Sequence, residues 1–380
     1  MERYDYIICG AGCAGLSLAY RLCDESFIDK KILILEKSPK NKDDRTWSFW
    51  IDKSHLFDSI VHKRWSHINF YGDTIQEKRP IEPYTYQTIK GIDFYNYTLR
   101  AIDKTKHIDI RYEAVTAIKE HIDEVQIETD SNIFIADKDF NSIVPYYPEQ
   151  KRLFVWQHYK GWIIEGPEGT FDPDTATFMD FRIAQEGETR FVYVLPYSNS
   201  TALVEATIFS KLIWEPTEYD ELLKNYIDAY LHIKEYKVLE EEVGAIPMTT
   251  ARFNQAESNH VIPIGTLNDT VKPSSGYAFW RIQEESEEIV AGIRKDQITR
   301  PKKNPKFIAY DKTLLDVVIN QKQTAKKVFS LMFKHSTPQE VFKFLNEKTN
   351  VLEEGNIFRH LPIWSFLTSF VNTNVLRRTK

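Results

Sequence analysis

A chain of 380 residues has room for about two lobes at roughly 150 residues per domain. Its 42% hydrophobic and 13% aromatic content supplies a large core and excludes a disordered tail protein. The 49 basic and 55 acidic residues leave a net charge of -6, and nothing in that balance asks for nucleic acid.

Met1-Glu2-Arg3-Tyr4-Asp5 lacks the basic cluster, apolar core and cleavage site of a secretory signal. The three cysteines, Cys9, Cys13 and Cys23, crowd one strand-loop-helix segment, so they form no disulfide framework and read as buried thiols of a cytoplasmic protein. Tyr6 to Cys9 is a short apolar run of strand type, and Leu16, Ala19, Tyr20 and Leu22 carry helical spacing. A second run, Lys31 to Leu35, ends at Glu36, which completes a β-α-β unit.

The turn of that unit is Gly10-Ala11-Gly12-Cys13-Ala14-Gly15, a G-x-G-x-x-G string in the strand-then-helix context that gives it meaning. Gly10 makes the tight turn, Gly12 lets a pyrophosphate approach the backbone, and Gly15 permits close helix-strand packing. The helix N-terminus offers free N–H groups and a positive dipole to the phosphates. Glu36, 21 residues after Gly15, can accept both ribose hydroxyls and would repel a 2′-phosphate, so NADPH does not belong in this loop. Its place at the start of the chain favours FAD by analogy.

Further on, helix is expected at Tyr95 to Asp103, and three short strands, Ile108 to Tyr112, Val125 to Thr129 and Ile133 to Ala136, suit a β-ribbon inserted in an α/β domain. Tyr147 to Glu205 is strand-rich with turn signals at Gly161, Gly166-Pro167, Gly169 and Pro173. Thr217 to Ile233 has helical spacing, Val261 to Gly265 returns as a buried strand, and the chain from Tyr310 is mostly helical. The reading is an α/β protein with a Rossmann-type FAD-binding domain (1–140 and 240–300), interleaved with a substrate-binding sheet domain (141–239) and a helical C-terminal region (301–380).

Six further segments carry a resemblance: DDRTWSFW (43–50), QHYKGWIIE (157–165), TFMDFR (177–182), RFVYVLPYSNSTALVEATIFS (190–210), EEVGAIPMTT (241–250) and KPSSGYAF (272–279). In this order after the glycine fingerprint they resemble the bacterial lycopene β-cyclase family, flavoproteins that close the ends of linear lycopene into β-ionone rings. The resemblance implies a Rossmann-type FAD domain, an apolar tunnel formed by the sheet and helices, and a reaction without net redox change that requires reduced FAD. NADPH is the implied electron source, directly or through an electron-donating reductase. The implied substrates are lycopene and other linear carotenoids, which dissolve in membranes, so a peripheral site on the inner face of the cell membrane is expected.

Closing a ψ end needs a proton delivered to the terminal double bond, a shielded carbocation and loss of another proton. A carboxyl kept loaded at neutral pH by apolar surroundings suits the first step. Glu205, in Leu203-Val204-Glu205-Ala206-Thr207, fits, and the family places its essential carboxylate in the corresponding motif. A glutamate on a strand is otherwise most often solvent-facing. Glu241 and Glu242 are second candidates for proton handling, against the plain reading of an acidic run as a solvated edge. Trp47, Phe49, Trp50, Trp162 and Tyr277 can shield a cation or simply fill the core. Arg45, with Asp43 and Thr46, stands where an arginine can contact phosphate or flavin, or pair at the surface. Gly265 and Gly276 let backbone approach the flavin by the same resemblance.

One segment departs from the family. Where small residues and glycines are usual, Leu267, Asn268 and Asp269 follow Gly265-Thr266. Their side chains narrow the space near the flavin, although Asp269 can bind a ribityl hydroxyl. No transmembrane span is present; the longest apolar run, Leu361 to Val371, is about half the ~20 residues required. Asn356 to Val371, apolar beside Arg359 and His360 and followed by Arg377, Arg378 and Lys380, forms a helix for an interface or for the core. Two rival readings remain: a prenyl-chain reductase or hydroxylase of the same fold, and a non-catalytic prenyl-lipid escort.

Overall fold

The computed structural model describes residues 1–144, 153–253, 258–297, 303–320 and 323–375. Strand β1 (Glu2–Cys9) leads through the glycine turn into helix α1 (Cys13–Leu22) and on to β2 (Ile32–Leu35), parallel to β1. All four β2 residues are buried, as expected of a strand covered on both faces. Next come β3 (Thr46–Ile51), β4 (Lys63–Trp65), β5 (His67–Tyr71), β6 (Gln76–Pro80) and β7 (Thr85–Lys90), of which β3, β7 and β4 form a small antiparallel sheet. Helix α2 (Gly91–Ile102) follows, starting four residues before the expected Tyr95.

Strands β8 (Ile108–Arg111), β9 (Val115–Glu120), β10 (Val125–Thr129) and β11 (Ile133–Asn141) complete the first sheet in the order β8-β2-β1-β11-β10-β9. The first expected ribbon strand is therefore not in the ribbon. Ile108 and Ile110 pair parallel with Ile32 and Ile34 of β2, because apolar alternation matching a buried neighbour gains more from the sheet core than from an exposed hairpin. Strand β11 pairs antiparallel with β10 and parallel with β1. Within it Asp139 is fully buried beside the Cys9 thiol, and burial pushes its carboxyl up to about 7.

The larger sheet comprises β12 (Phe154–Glu165), β13 (Thr175–Asp180), β14 (Thr189–Pro196), β15 (Thr201–Ser210) and, after helix α3 (Pro216–Tyr230), β16 (Lys237–Thr249). Its order is β16-β12-β15-β14-β13-β5-β6. β16 bonds to β12 from Lys237–Glu165 to Thr249–Phe154, so the domain boundary expected at residue 240 falls inside a strand of this sheet. Helix α3 begins with Pro216 and a Glu215–Glu218 capping box. It covers the sheet face carrying Trp162, Ile164, Val192 and Val204.

β17 (Val261–Pro263) returns parallel to β11 and precedes α4 (Phe279–Ile293), which packs with α1 and α2 in one core. The last third is helical: α5 (Pro305–Ile319), α6 (Ala325–His335), α7 (Pro338–Leu345), α8 (Val351–Phe358) and α9 (Ile363–Phe370). The helix expected over Asn356–Val371 is broken between α8 and α9. Pro362, which has no amide proton and clashes with the preceding turn, stands at the break as the residue before α9. The three basic residues expected to follow it lie outside the described residues.

Candidate active site

The register of the larger sheet assembles the site. Gly161 of β12 lies opposite Glu205 of β15 on one side and Glu242 of β16 on the other, and Glu205 lies opposite Tyr193 of β14. Direct cross-strand partners share a face, so Glu242, Gly161, Glu205 and Tyr193 form a row across four strands. The next row along holds Gly244, Tyr159, Thr207 and Phe191. Glu241 projects from the opposite face, half exposed, where it pairs with Lys160 at 3.1 Å. The acidic run is thus split by the two-residue period of the strand, and only Glu242 joins Glu205.

Glu205, Glu242, Tyr159 and Tyr197 are deeply enclosed by protein yet retain solvent contact. That combination belongs to groups lining a cleft. Burial, and then the neighbouring Glu242, pushes the Glu205 carboxyl well above the ordinary range, while burial also raises Glu242. Glu205 and Glu242 are coupled neighbours, both pushed upward by burial, so the pair holds on to a proton that an exposed glutamate would release. Thr207 Oγ1 donates to Glu205 at 2.9 Å and Thr46 Oγ1 to Glu242 at 2.7 Å.

Beyond Glu205 stands an aromatic cluster. The Tyr277 hydroxyl lies 3.3 Å from that of Tyr193 and 3.4 Å from that of Tyr86, and its ring meets Trp50 edge-on at 4.5 Å. Of the five aromatics singled out in the sequence, Trp50 and Tyr277 reach this cluster. Trp47 and Phe49 pack with α4 in the core of the first lobe, and Trp162 lies under α3.

The glycine turn meets the demands of a phosphate cradle. A Cβ on Gly15 would lie 1.9 Å from the Gly10 carbonyl oxygen, whereas one on Gly12 would meet nothing within 4 Å. Helix α1 has no side-chain cap and no acid in its first turn, so its amides are free for an anion. Glu36, at the end of β2, accepts the Ala11 amide at 2.7 Å. Arg45, its side chain about half exposed, pairs with Asp44 at 3.3 Å and lies within electrostatic range of both Cys13 at the start of α1 and Tyr159 on the large sheet.

The side chains of the departure at Leu267-Asn268-Asp269 are taken up by contacts within the protein. Leu267 and Asn268 are buried, and Asn268 donates to Glu285 of α4 at 2.5 Å. Glu285 also takes the Gly265 amide and the Thr270 hydroxyl, both at 2.7 Å, so a single carboxylate gathers the loop's polar groups. Asp269 adopts the left-handed region and accepts the Phe253 amide at 2.9 Å. Gly265 presses on Ala14 of α1, since an added Cβ would lie 2.7 Å from the Ala14 Cβ.

Among the described residues, Gln157 Oε1, Ser275 Oγ and Tyr197 Oη are buried polar atoms without a hydrogen-bond partner that the sequence did not single out. Gln157 faces Gly276, where an added Cβ would stand 2.1 Å from Oε1. Reading QHYKGWIIE with a period of two would have found Gln157, Tyr159 and Gly161 on one face. Orphaned polar atoms beside a glycine loop, an open phosphate cradle and an uncapped α4 N-terminus fit a cofactor with a pyrophosphate and a polar ring edge, as FAD has.

Among α5 to α9 lies a mostly apolar cavity of about 220 Å³ walled by Phe307, Phe329, Phe344, Phe358 and Phe366, with Lys272, Ser274 and Asp311 also in its lining. Phe329 stacks on Phe181, which touches Phe191, the neighbour of Tyr193. Trp364 of α9 is 81% exposed, and Ile363 and Leu367 are each 50% exposed. No described helix is long and apolar enough to cross a membrane.

A family model described as lycopene cyclase protein matches residues 5–371. A lycopene beta-cyclase of Pseudescherichia vulneris is 31% identical over 133 residues, which span about a third of each chain, 33% of this one and 32% of that one. Among solved structures, a geranylgeranyl bacteriochlorophyll reductase-like protein of Thermoplasma acidophilum superimposes with a TM-score of 0.61 at 14% identity over 98% of this chain and 97% of its own. The halogenase PltM, solved with phloroglucinol and FAD, gives 0.55 at 11% identity over 90% and 79%. The fold is that of FAD-dependent reductases and halogenases, with a helical C-terminal region.

Proposed function

The chain belongs to the lycopene cyclase family, and from that premise we propose that it closes the ψ ends of lycopene and other linear carotenoids into β-ionone rings, without net redox change. The observation that carries the reading is the meeting of Glu205 and Glu242 over Gly161 in an enclosed cleft beside an aromatic cluster.

Glu205, whose carboxyl burial and Glu242 push well above the ordinary range, protonates the terminal double bond. The resulting cation is attacked by the neighbouring alkene, which forms the ring bond and moves the charge one double bond along. Glu242, or the Glu205 carboxylate just formed, accepts the proton whose loss restores neutrality. The π faces of Trp50 and Tyr277 shield the cation from water. Thr46 and Thr207 orient the two carboxyls by donating to them.

Gly10, Gly12 and Gly15 with the α1 N-terminus would hold the FAD pyrophosphate, Glu36 the ribose, and Arg45 a phosphate or the ring. The backbone at Gly265 and Gly276, together with Gln157, would face the flavin; Asp269, engaged with Phe253, is the weakest member of the set. Reduced FAD, when bound, supplies negative charge beside the developing cation. NADPH, directly or through a reductase, is the proposed source of electrons. The apolar cavity among α5 to α9 would take the unreacted length of the polyene. The exposed face of α9 would rest on the cytoplasmic surface of the membrane from which the substrate comes.

Anaerobic incubation of lipid-dispersed lycopene with the protein, FAD and dithionite tests the proposal. A product of unchanged mass absorbing at shorter wavelength supports it. A product that gains hydrogen or oxygen moves the chain to the reductase or hydroxylase reading.

A further inference from the structure

Strands β15 and β16 are not neighbours; β12 runs between them. At about 4.8 Å per strand spacing, the backbones of Glu205 and Glu242 stand roughly 10 Å apart, and their side chains can meet only above the residue that separates them. In the row on one side that intervening residue is Tyr159, and on the other it is Ile163. Gly161 is the one gap in this stretch of the strand. A Cβ there would lie 3.2 Å from Glu242 Cγ, 3.4 Å from Glu205 Cβ and 2.8 Å from Leu203 Cδ1.

The glycine is not required by the backbone, because Gly161 is absent from the residues with positive φ. In a strand interior a glycine costs entropy and packs nothing, so strand stability does not explain it either. Space does.

We propose that Gly161 is a positioning residue: by withholding a side chain it lets Glu205 and Glu242 close over β12 into one proton-sharing pair. This rests on the reading of Glu205 as the acid. A methyl group at 161 sits tightly against Glu242 Cγ and displaces that side chain from Glu205, which then loses the neighbour that helps it keep its proton and releases it earlier as pH rises.

The test uses the full-length, flavin-loaded protein and the variants Gly161→Ala and Gly161→Ala/Leu203→Ala. The protonated-carboxyl infrared band that disappears in Glu205→Gln is titrated in each, and turnover is measured across pH. In Gly161→Ala the band's midpoint moves to lower pH, and turnover falls at least tenfold with flavin retained. The double variant, relieved of the Leu203 contact, keeps the shifted midpoint. An unmoved midpoint in Gly161→Ala, or wild-type titration and turnover in the double variant, overturns the proposal, the latter because a clash with Leu203 then accounts for the defect. The infrared titration needs no substrate, so it judges Gly161 even where the cyclase assay fails, and a shifted midpoint beside absent cyclisation rejects the function and not the pair. Should Gly161→Ala alone fail to fold, the double variant's midpoint decides.

Discussion

Glu205→Gln preserves the shape of the side chain and removes its transferable proton. In the unfolded chain this carboxyl titrates near ~4.3, whereas in the folded protein burial and Glu242 hold its pKa well above that. The native state therefore keeps a proton that the unfolded chain has released. The stability gained from that proton is fully present below the unfolded pKa and is lost as pH rises towards and through the native one. One retained proton corresponds to about 1.4 kcal/mol per pH unit. With an unfolding entropy of about 2 cal/mol/K per residue, a 380-residue chain loses on the order of 2 °C of melting temperature per unit. Melting curves from pH 5 upward should fall by about that much more steeply in the wild type than in Glu205→Gln. Turnover should drop by about 10² to 10⁴, the usual contribution of a positioned acid. Equal pH slopes, or turnover within tenfold of the wild type with flavin bound, would refute the assignment.

The glycine turn separates fold from cofactor: Gly12→Leu should melt within a few degrees of the wild type yet lose most of its flavin by absorbance, while Gly15→Ala, facing the Gly10 carbonyl, should cost about 1–3 kcal/mol in urea unfolding. Glu242→Gln should lower turnover at least tenfold, whereas Glu241→Gln, on the other face of β16, should leave it within about twofold. Asp139→Asn removes a buried carboxyl raised to about 7; its proton stabilises the native state at low pH and is lost as pH passes 7, so the variant's melting temperature should fall less than the wild type's between pH 5 and 8. Trp364→Ser should weaken sedimentation with anionic lipid vesicles about tenfold, the effect of losing one large apolar contact, without changing flavin content.

The parts of this molecule that could be read from its sequence are those whose signals are local. The strand, glycine turn, helix and closing Glu36 of the first β-α-β unit lie within 36 residues, and each element announces its neighbour. Strand partners do not: Ile108–Arg111 carries the same alternation whether it joins a ribbon or the edge of β2. The acidic run 240–242 shows that one of its members shares a face with its second neighbour, but which member meets Glu205 depends on the register of β16 against β12, across more than seventy residues of chain. Gly161 is silent for the same reason, since a gap is visible only when its cross-strand neighbours are known. The course of the Asn268 side chain is equally hidden, since the Glu285 carboxylate that takes it lies in the following helix.

The claim on which the account stands is that ring closure begins with a proton from Glu205 and transfers no hydride. Running the reaction in D₂O with reduced FAD and measuring the product by mass spectrometry tests it directly. The account predicts one deuterium gained per ring formed, one substrate proton lost, and turnover of Glu205→Gln reduced by about 10² to 10⁴. A product carrying two additional hydrogens, or the same labelled product from Glu205→Gln at the wild-type rate, would contradict it.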